Sequence, residues 1–222
     1  QVITANNGYT YNNGVITISE GVINGDVVIS GSAVANTYNV TVNGVKATVK
    51  GEEGDYASSA TISATTGKAF TVYAKADAGY ENVKFTTEAS GITISEVTFS
   101  EGAYSVTVSG NTSAFTITAT ASPKTNNVIF NNANLTLNGN KTVVTDTAYT
   151  ATITADDGYS VPTSITIQMN GEALGASDYT YANGALNIKA NVIKADITIT
   201  ATAVANKYAV KFNLNDATAG NG

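Results

Sequence analysis

The chain has 222 residues, enough for one large domain or two modules of about 100 residues. Only 13% of them are charged, about half the usual share of roughly 25%, so Thr, Ser, Asn and Gly carry the polarity. The net charge is −6, all eleven basic residues are Lys, and there is no Cys or His. An acidic surface without an Arg fork excludes nucleic acid and anionic membrane as natural partners. The missing residue types exclude disulfides, Ser-His-Asp and Cys-His triads, and zinc sites. No apolar run approaches the length of a membrane-spanning helix, so no membrane insertion is expected.

Taken from the N-terminus, residues 9–40 match residues 179–210 without a gap, at 16 of 32 positions. Residues 99–130 match 181–212 in the same way, and Phe70 through Tyr80 match Tyr149 through Tyr159. Self-similarity of this kind marks an internal repeat. It divides the chain into 1–36, the C-terminal half of one repeat; 37–124 and 125–206, two complete repeats; and 207–222, the start of a further one. A period of roughly 85 residues exceeds the 20–45 of a solenoid unit and suits an independent β-domain.

Within the last complete copy, Val128–Phe130 and Leu135–Leu137 are short strand candidates. Tyr149, Ala151, Ile153 and Ala155 alternate with Thr, the period of a half-buried strand. Asp156-Asp157-Gly158 and Asn170-Gly171 are turns. Asn183-Gly184 between apolar alternations predicts a tight hairpin. Ile197, Ile199, Ala201 and Ala203 form the inward face of a closing strand. No stretch has helical periodicity. Six or seven short strands per copy, with a turn every 8–12 residues, predict an all-β protein built of tandem β-sandwiches. The links between copies are short and lack Gly/Ser richness, which predicts a rod, stiffened further by Pro123.

The stretches Asp156–Tyr159, Ser164–Gly171, Asp178–Ile188 and Asp196–Ala203 together resemble a repeat of long extracellular proteins of gut Firmicutes and related bacteria. Similar modules occur in some phage tail and baseplate proteins. The resemblance covers nearly the whole chain and implies immunoglobulin-like sandwiches in a cell-envelope context, with no catalytic or binding residue to carry over. The earlier copy departs from the pattern at Glu88-Ala89-Ser90-Gly91, where the Met-Asn-Gly step is missing. It also has a longer front loop, Gly51–Ser59.

That loop holds the residues with any claim to a site. Glu52, Glu53 and Asp55 are hard-oxygen candidates for a cation, but no D-x-D-x-D-G series accompanies them, and a solvated acidic loop is the simpler reading. Tyr56 is the ligand candidate, because it has no counterpart in the other copies whereas most tyrosines do. Sugar faces stack on such rings, and loops on rigid scaffolds carry binding functions. Lys75 would face outward if Phe70 and Val72 face in, which argues against a buried Lys–Asn cross-link. The Asn-x-Ser/Thr sequons at Asn39, Asn111, Asn134 and Asn140 are expected by chance in a chain this rich in Asn and Thr.

The expectation is therefore a non-enzymatic structural or adhesive module of a secreted or cell-surface bacterial protein, acting as a stalk or spacer. It needs no cofactor, and its partners are neighbouring repeats. The alternative is a module that binds host glycan or protein, or a component of an extracellular filament or phage tail fibre.

Overall fold

A computed structural model describes residues 8–211. Every regular element in it is a strand. The chain divides into two compact units, one ending at Asn36 and the other beginning at Thr37.

The first unit contains a hairpin of β1 (Tyr9–Asn12) and β2 (Val15–Ile18). Its turn is Asn13-Gly14, both at positive φ (47° and 83°), the two-residue connection that matches strand twist. After Gly21 the described chain forms no further strand up to Asn36. Residues that repeat the core of a later copy are exposed here: Ile16 at 39%, Val27 at 40% and Ile29 at 63%.

The second unit contains two sandwiches. The first is built from β3 (Thr37–Val45), β4 (Ala47–Lys50), β5 (Ser59–Thr65), β6 (Phe70–Ala76), β7 (Tyr80–Thr86), β8 (Thr93–Ile94), β9 (Thr98–Ser100), β10 (Ala103–Ser109) and β11 (Phe115–Pro123). One sheet runs β4-β6-β10-β8 with β9 also on β10, and the other runs β5-β3-β11-β7. Alternate residues of both sheets meet in a core that includes Val42, Val49, Val72, Val106 and Ile117, all essentially solvent-free.

The second sandwich repeats the plan. Its strands are β12 (Thr125–Ala133), β13 (Leu135–Gly139), β14 (Thr142–Val144), β15 (Tyr149–Ala155), β16 (Tyr159–Ser160), β17 (Thr166–Met169), β18 (Glu172–Ala173), β19 (Tyr179–Ala182), β20 (Ala185–Ile188), β21 (Ile197–Thr202) and β22 (Val204–Ala205). Its sheets are β14-β12-β21-β17-β18 and β13-β15-β20-β19, with β16 on β22 as a short ribbon. A separate core forms from Ile153, Ile167, Ile188, Ile193, Ile197 and Ile199 among others. The two cores share no residue.

The sandwiches thus have nine and eleven strands, more than the six or seven expected, because bulges and turns cut one long alternating segment into several pieces. One case is Lys46, whose φ of 55° separates β3 from β4; Asn134, at 56°, separates β12 from β13 in the same way. The expected hairpin is present: Asn183 and Gly184 have φ of 50° and 83° and join β19 to β20. The alternating faces of β15 and β21 point as predicted, with Tyr149, Ala151 and Ile153 buried on one and Ile197, Ile199 and Ala201 on the other.

One pairing in each sandwich is parallel. The first strand β3 lies beside the last strand β11, from Val40↔Phe115 to Val45↔Thr120. Likewise β12 lies beside β21, from Val128↔Ile197 to Ala133↔Thr202. Parallel neighbours run in one direction, so the chain enters a sandwich at one pole and leaves it at the other. The expected boundary piece 207–222 falls mostly outside the described residues, as do residues 1–7.

Candidate functional site

Two constellations stand out in the second unit. The first occupies the seam where one sandwich passes into the next. Lys124 is the connecting residue, and its main chain is held from both sides. Its N–H donates to Gly79 O at 2.9 Å, and its carbonyl accepts from Thr145 N at 2.9 Å. Gly79 lies in the turn after β6, and Thr145 follows β14. No slack chain separates the sandwiches, so the seam has the direct link expected from composition.

Asp146 sits at the centre of this seam. Its Oδ2 accepts from Tyr80 Oη at 2.7 Å and from Lys46 Nζ at 3.2 Å, both from the first sandwich. Its Oδ1 accepts from Lys194 Nζ of the second. Its own backbone is fixed as well, with the N–H on Ile193 O at 3.1 Å and the carbonyl on Asn191 N at 3.0 Å. Lys46 also lies 5.2 Å from the centre of the Tyr80 ring. Lys194 first, then Tyr80 and Lys46, hold the Asp146 carboxyl well below its ordinary value of 3.8, at about 2. The Lys46 ammonium is pushed up by its bond to Asp146 and by Tyr80. Beneath this, Asn126 is buried and donates Nδ2 to Thr145 Oγ1 at 3.0 Å.

None of Asp146, Lys46 or Lys194 carries a motif, whereas Tyr80 ends the stretch that repeats at Tyr159. Lys46 and Asp146 are 100 residues apart in sequence. The signal that could have exposed Lys46 is the comparison between copies, because Asn134 takes its place in the second sandwich. Both residues have a positive φ, of 55° and 56°. Each offers its carbonyl to the matching turn, Lys46 to Asp77 N and Asn134 to Asp156 N.

The second constellation is the long loop of the first sandwich. Ala57 bridges back to Val49, which pins the loop along the edge strand β4. Tyr56 is half-buried there, and its ring meets two ammonium groups, Lys75 at 4.6 Å from the centroid and Lys50 at 5.4 Å. Lys50 also lies 5.7 Å from the Tyr73 ring centre, its cross-strand neighbour. Cation–ring contacts of this kind contribute about 0.5–1 kcal/mol each at exposed sites. Burial, and then Tyr73, push the Tyr56 phenol above its ordinary pKa. Tyr56 is therefore not a bare platform but one member of a Lys–Tyr cluster, and Lys75 faces outward as expected. Its cluster partners Lys50 and Tyr73 were not singled out by the sequence, because only register brings them together.

The acidic residues of the loop go elsewhere. Glu52 Oε1 accepts from Thr71 N at 3.2 Å. Glu53 and Asp55 are exposed. Among the described residues no three or more His, Cys, Asp or Glu side chains gather into a metal-ligating group.

Two shallow surface grooves also lie among the described residues. One, of about 390 Å³, lies between Thr86–Ala89 and Ala114–Thr118 and contains a single carboxylate, Glu88. It occupies the place where the first sandwich lacks the Met-Asn-Gly step. In the second sandwich Ile167, Gln168 and Met169 pair with Ile199, Thr198 and Ile197 at that position. The other groove, of about 330 Å³, borders Asn140, Val144 and Tyr149 and has no carboxylate in its walls. Neither brings together an acid–base pair.

No protein-family model matches the chain, and no curated protein matches it in sequence. Among solved structures it is similar to the C-terminal fragment of the pilus adhesin SpaC from Lactobacillus rhamnosus GG. Identity is 16%, coverage 79% of this chain and 100% of that one, and the TM-score 0.31. It is also similar to the tandem Ig repeats of Dlar, with 11% identity, coverage of 77% and 94%, and a TM-score of 0.17.

Proposed function

We propose that this chain is a spacer segment of a bacterial cell-surface or secreted protein, in which successive sandwiches transmit position and tension and perform no catalysis. One observation carries this reading: in both sandwiches the first strand lies parallel beside the last long strand, β3 beside β11 and β12 beside β21. Force applied through the chain pulls these two strands in opposite directions along their length. The hydrogen bonds between them are then loaded together in shear, not broken one after another. The seam adds to this, because Lys124 and Asp146 tie each sandwich to the other without a flexible tether. The envelope location follows from the resemblance of the repeat to extracellular modules, together with its Thr-rich, low-charge composition. Stacked sandwiches of this kind suit a stalk; the same chain order would serve a filament shaft.

Single-molecule pulling on the chain, gripped beyond both ends of residues 37–206, tests the proposal. Two unfolding events of high peak force, one per sandwich, are expected. Unfolding at forces typical of strand-by-strand unzipping would overturn it.

A further inference from the structure

The two sandwiches serve as internal controls for each other, and on one face they differ sharply. In the second, the outward residues of the β13–β15 pair are Thr136, Asn138, Thr152 and Thr154, all exposed. Asn138 donates Nδ2 to Thr154 Oγ1 at 3.3 Å. In the first, the same register positions of β4–β6 hold Thr48, Lys50, Tyr73 and Lys75. Three of four have changed, to two cations and an aromatic ring. The inserted loop then places a second ring, Tyr56, against both cations. Buried neighbours on the reverse side of these strands, Val49, Val72 and Ala74, keep the ordinary apolar pattern, so the change is confined to the surface.

The charge balance of this face is unusual for an acidic protein. Among the described residues neither Lys50 nor Lys75 has a carboxylate within 4.0 Å, although Glu52, Glu53 and Asp55 belong to the adjoining loop. Lys50 Nζ reaches only a carbonyl, Gly54 O, at 3.4 Å. Two uncompensated ammonium groups beside one ring repel each other, at a cost that an arriving anion would reverse. If the cluster existed merely to hold the loop down, one cation over Tyr56 with an acid beside it would do so with less repulsion.

We propose that the outward face of β4–β6, with Lys50, Lys75, Tyr56 and Tyr73, binds a carboxylate-bearing sugar. The ammonium groups receive the carboxylate, and the tyrosine rings receive the C–H face of the pyranose. A site of few polar groups set against aromatic surface is the usual composition of a small-ligand site. Glu53 and Asp55 oppose the ligand's charge and keep the affinity low. This goes beyond the spacer reading and does not depend on it.

Titration of the intact chain with trigalacturonate, followed by amide and tyrosine NMR shifts, tests the site. Its methyl ester serves as the neutral counterpart and a sulfated trisaccharide as the alternative anion. Saturable shifts at Tyr56 and Tyr73 are expected with the acid below about 10 mM and absent with the ester. Lys50→Gln with Lys75→Gln should weaken binding about tenfold or more, whereas Glu53→Gln with Asp55→Asn should tighten it about two- to fivefold, as screening arguments require. Equal binding of acid and ester, stronger binding of the sulfated sugar, or no saturation by about 10 mM would each overturn the proposal. So would unchanged affinity in the Lys50/Lys75 double variant. The double variant loses three cation–ring contacts and should melt slightly earlier, but it should still unfold under force in two events, which separates this test from that of the spacer.

Discussion

Tyr80 donates its phenolic hydrogen to Asp146 across 2.7 Å, and that bond ties the start of β7 in the first sandwich to the segment after β14 in the second. A carboxylate serving two cations and a phenol from both sides of a seam makes the seam responsive to its own protonation.

Acid should loosen this joint before it unfolds either core. The folded Asp146 carboxyl lies at about 2, below its ordinary 3.8. A depressed acid contributes stability that is present in full above its unfolded value and is lost as the pH falls through the folded one. The window is therefore pH 3.8 down to about 2. Small-angle scattering across that window should show the two sandwiches gaining freedom while near-ultraviolet dichroism of the cores persists. Asp146→Asn should show that freedom already at neutral pH and no further change on acidification; an unaltered pH profile would contradict the assignment.

Gly79→Ala and Gly158→Ala should differ although the two glycines are equivalent. At Gly79, with φ of 81°, an added Cβ would lie 2.8 Å from Thr145 Cγ2 and 2.9 Å from Lys194 O. The second is backbone and has no rotamer to give. At Gly158, with φ of 84°, it meets nothing within 4 Å among the described residues. Gly158→Ala therefore costs only the left-handed backbone penalty of about 1–2 kcal/mol. Gly79→Ala costs that and also displaces the joint. Melting curves combined with scattering should separate the two effects.

Ile199→Ala should cost about 2–5 kcal/mol, the range for emptying a buried aliphatic site. Ile199 is solvent-free in its core. Its repeat counterpart Ile29 is 63% exposed, so Ile29→Ala should change melting by less than about 0.5 kcal/mol. Denaturant titration of both variants checks the contrast. A large cost at Ile29 would mean that the segment is packed.

Asn111→Ile should be neutral to about 1 kcal/mol stabilising, despite the loss of a buried hydrogen bond. Asn111 is solvent-free, and its Oδ1 has no partner in the protein. Its Nδ2 donates to Thr65 O at 3.0 Å, but that carbonyl also accepts from Lys68 N at 3.1 Å and is not orphaned by the change. In the second sandwich the corresponding residue is Ile193, also solvent-free. Destabilisation beyond about 1 kcal/mol in thermal melts would show that the amide is needed.

Alternation at period two was enough to read the buried faces of β15 and β21 and the hairpin at Asn183-Gly184, because each is a local relation between side chain and backbone. The parallel partnership of β3 with β11 was not readable, since periodicity reports which face a strand buries and not which strand lies beside it. The same holds for the seam. Lys46 and Asp146 are 100 residues apart and Asp146 and Lys194 are 48 apart, and each looks like an ordinary surface charge in the sequence. Tyr56 was visible because it broke the repeat. Its partners Lys50 and Tyr73 lie on regular strands, where a substitution relative to the other copy was the sole clue. The extra strands reflect local breaks that hydropathy smooths over.

Asn206 N donates to Gly158 O at 2.9 Å, the same bond that Lys124 N makes to Gly79 O. The socket at the far pole is thus encoded inside each copy and does not depend on what comes next. Duplication or deletion of residues 125–206 would join ends that already fit, so the reach of such a protein can drift over generations by recombination without any new contact having to be invented. Asn134 stands where Lys46 does in the first sandwich, with the same backbone bond, so a following copy would meet an amide there in place of an ammonium.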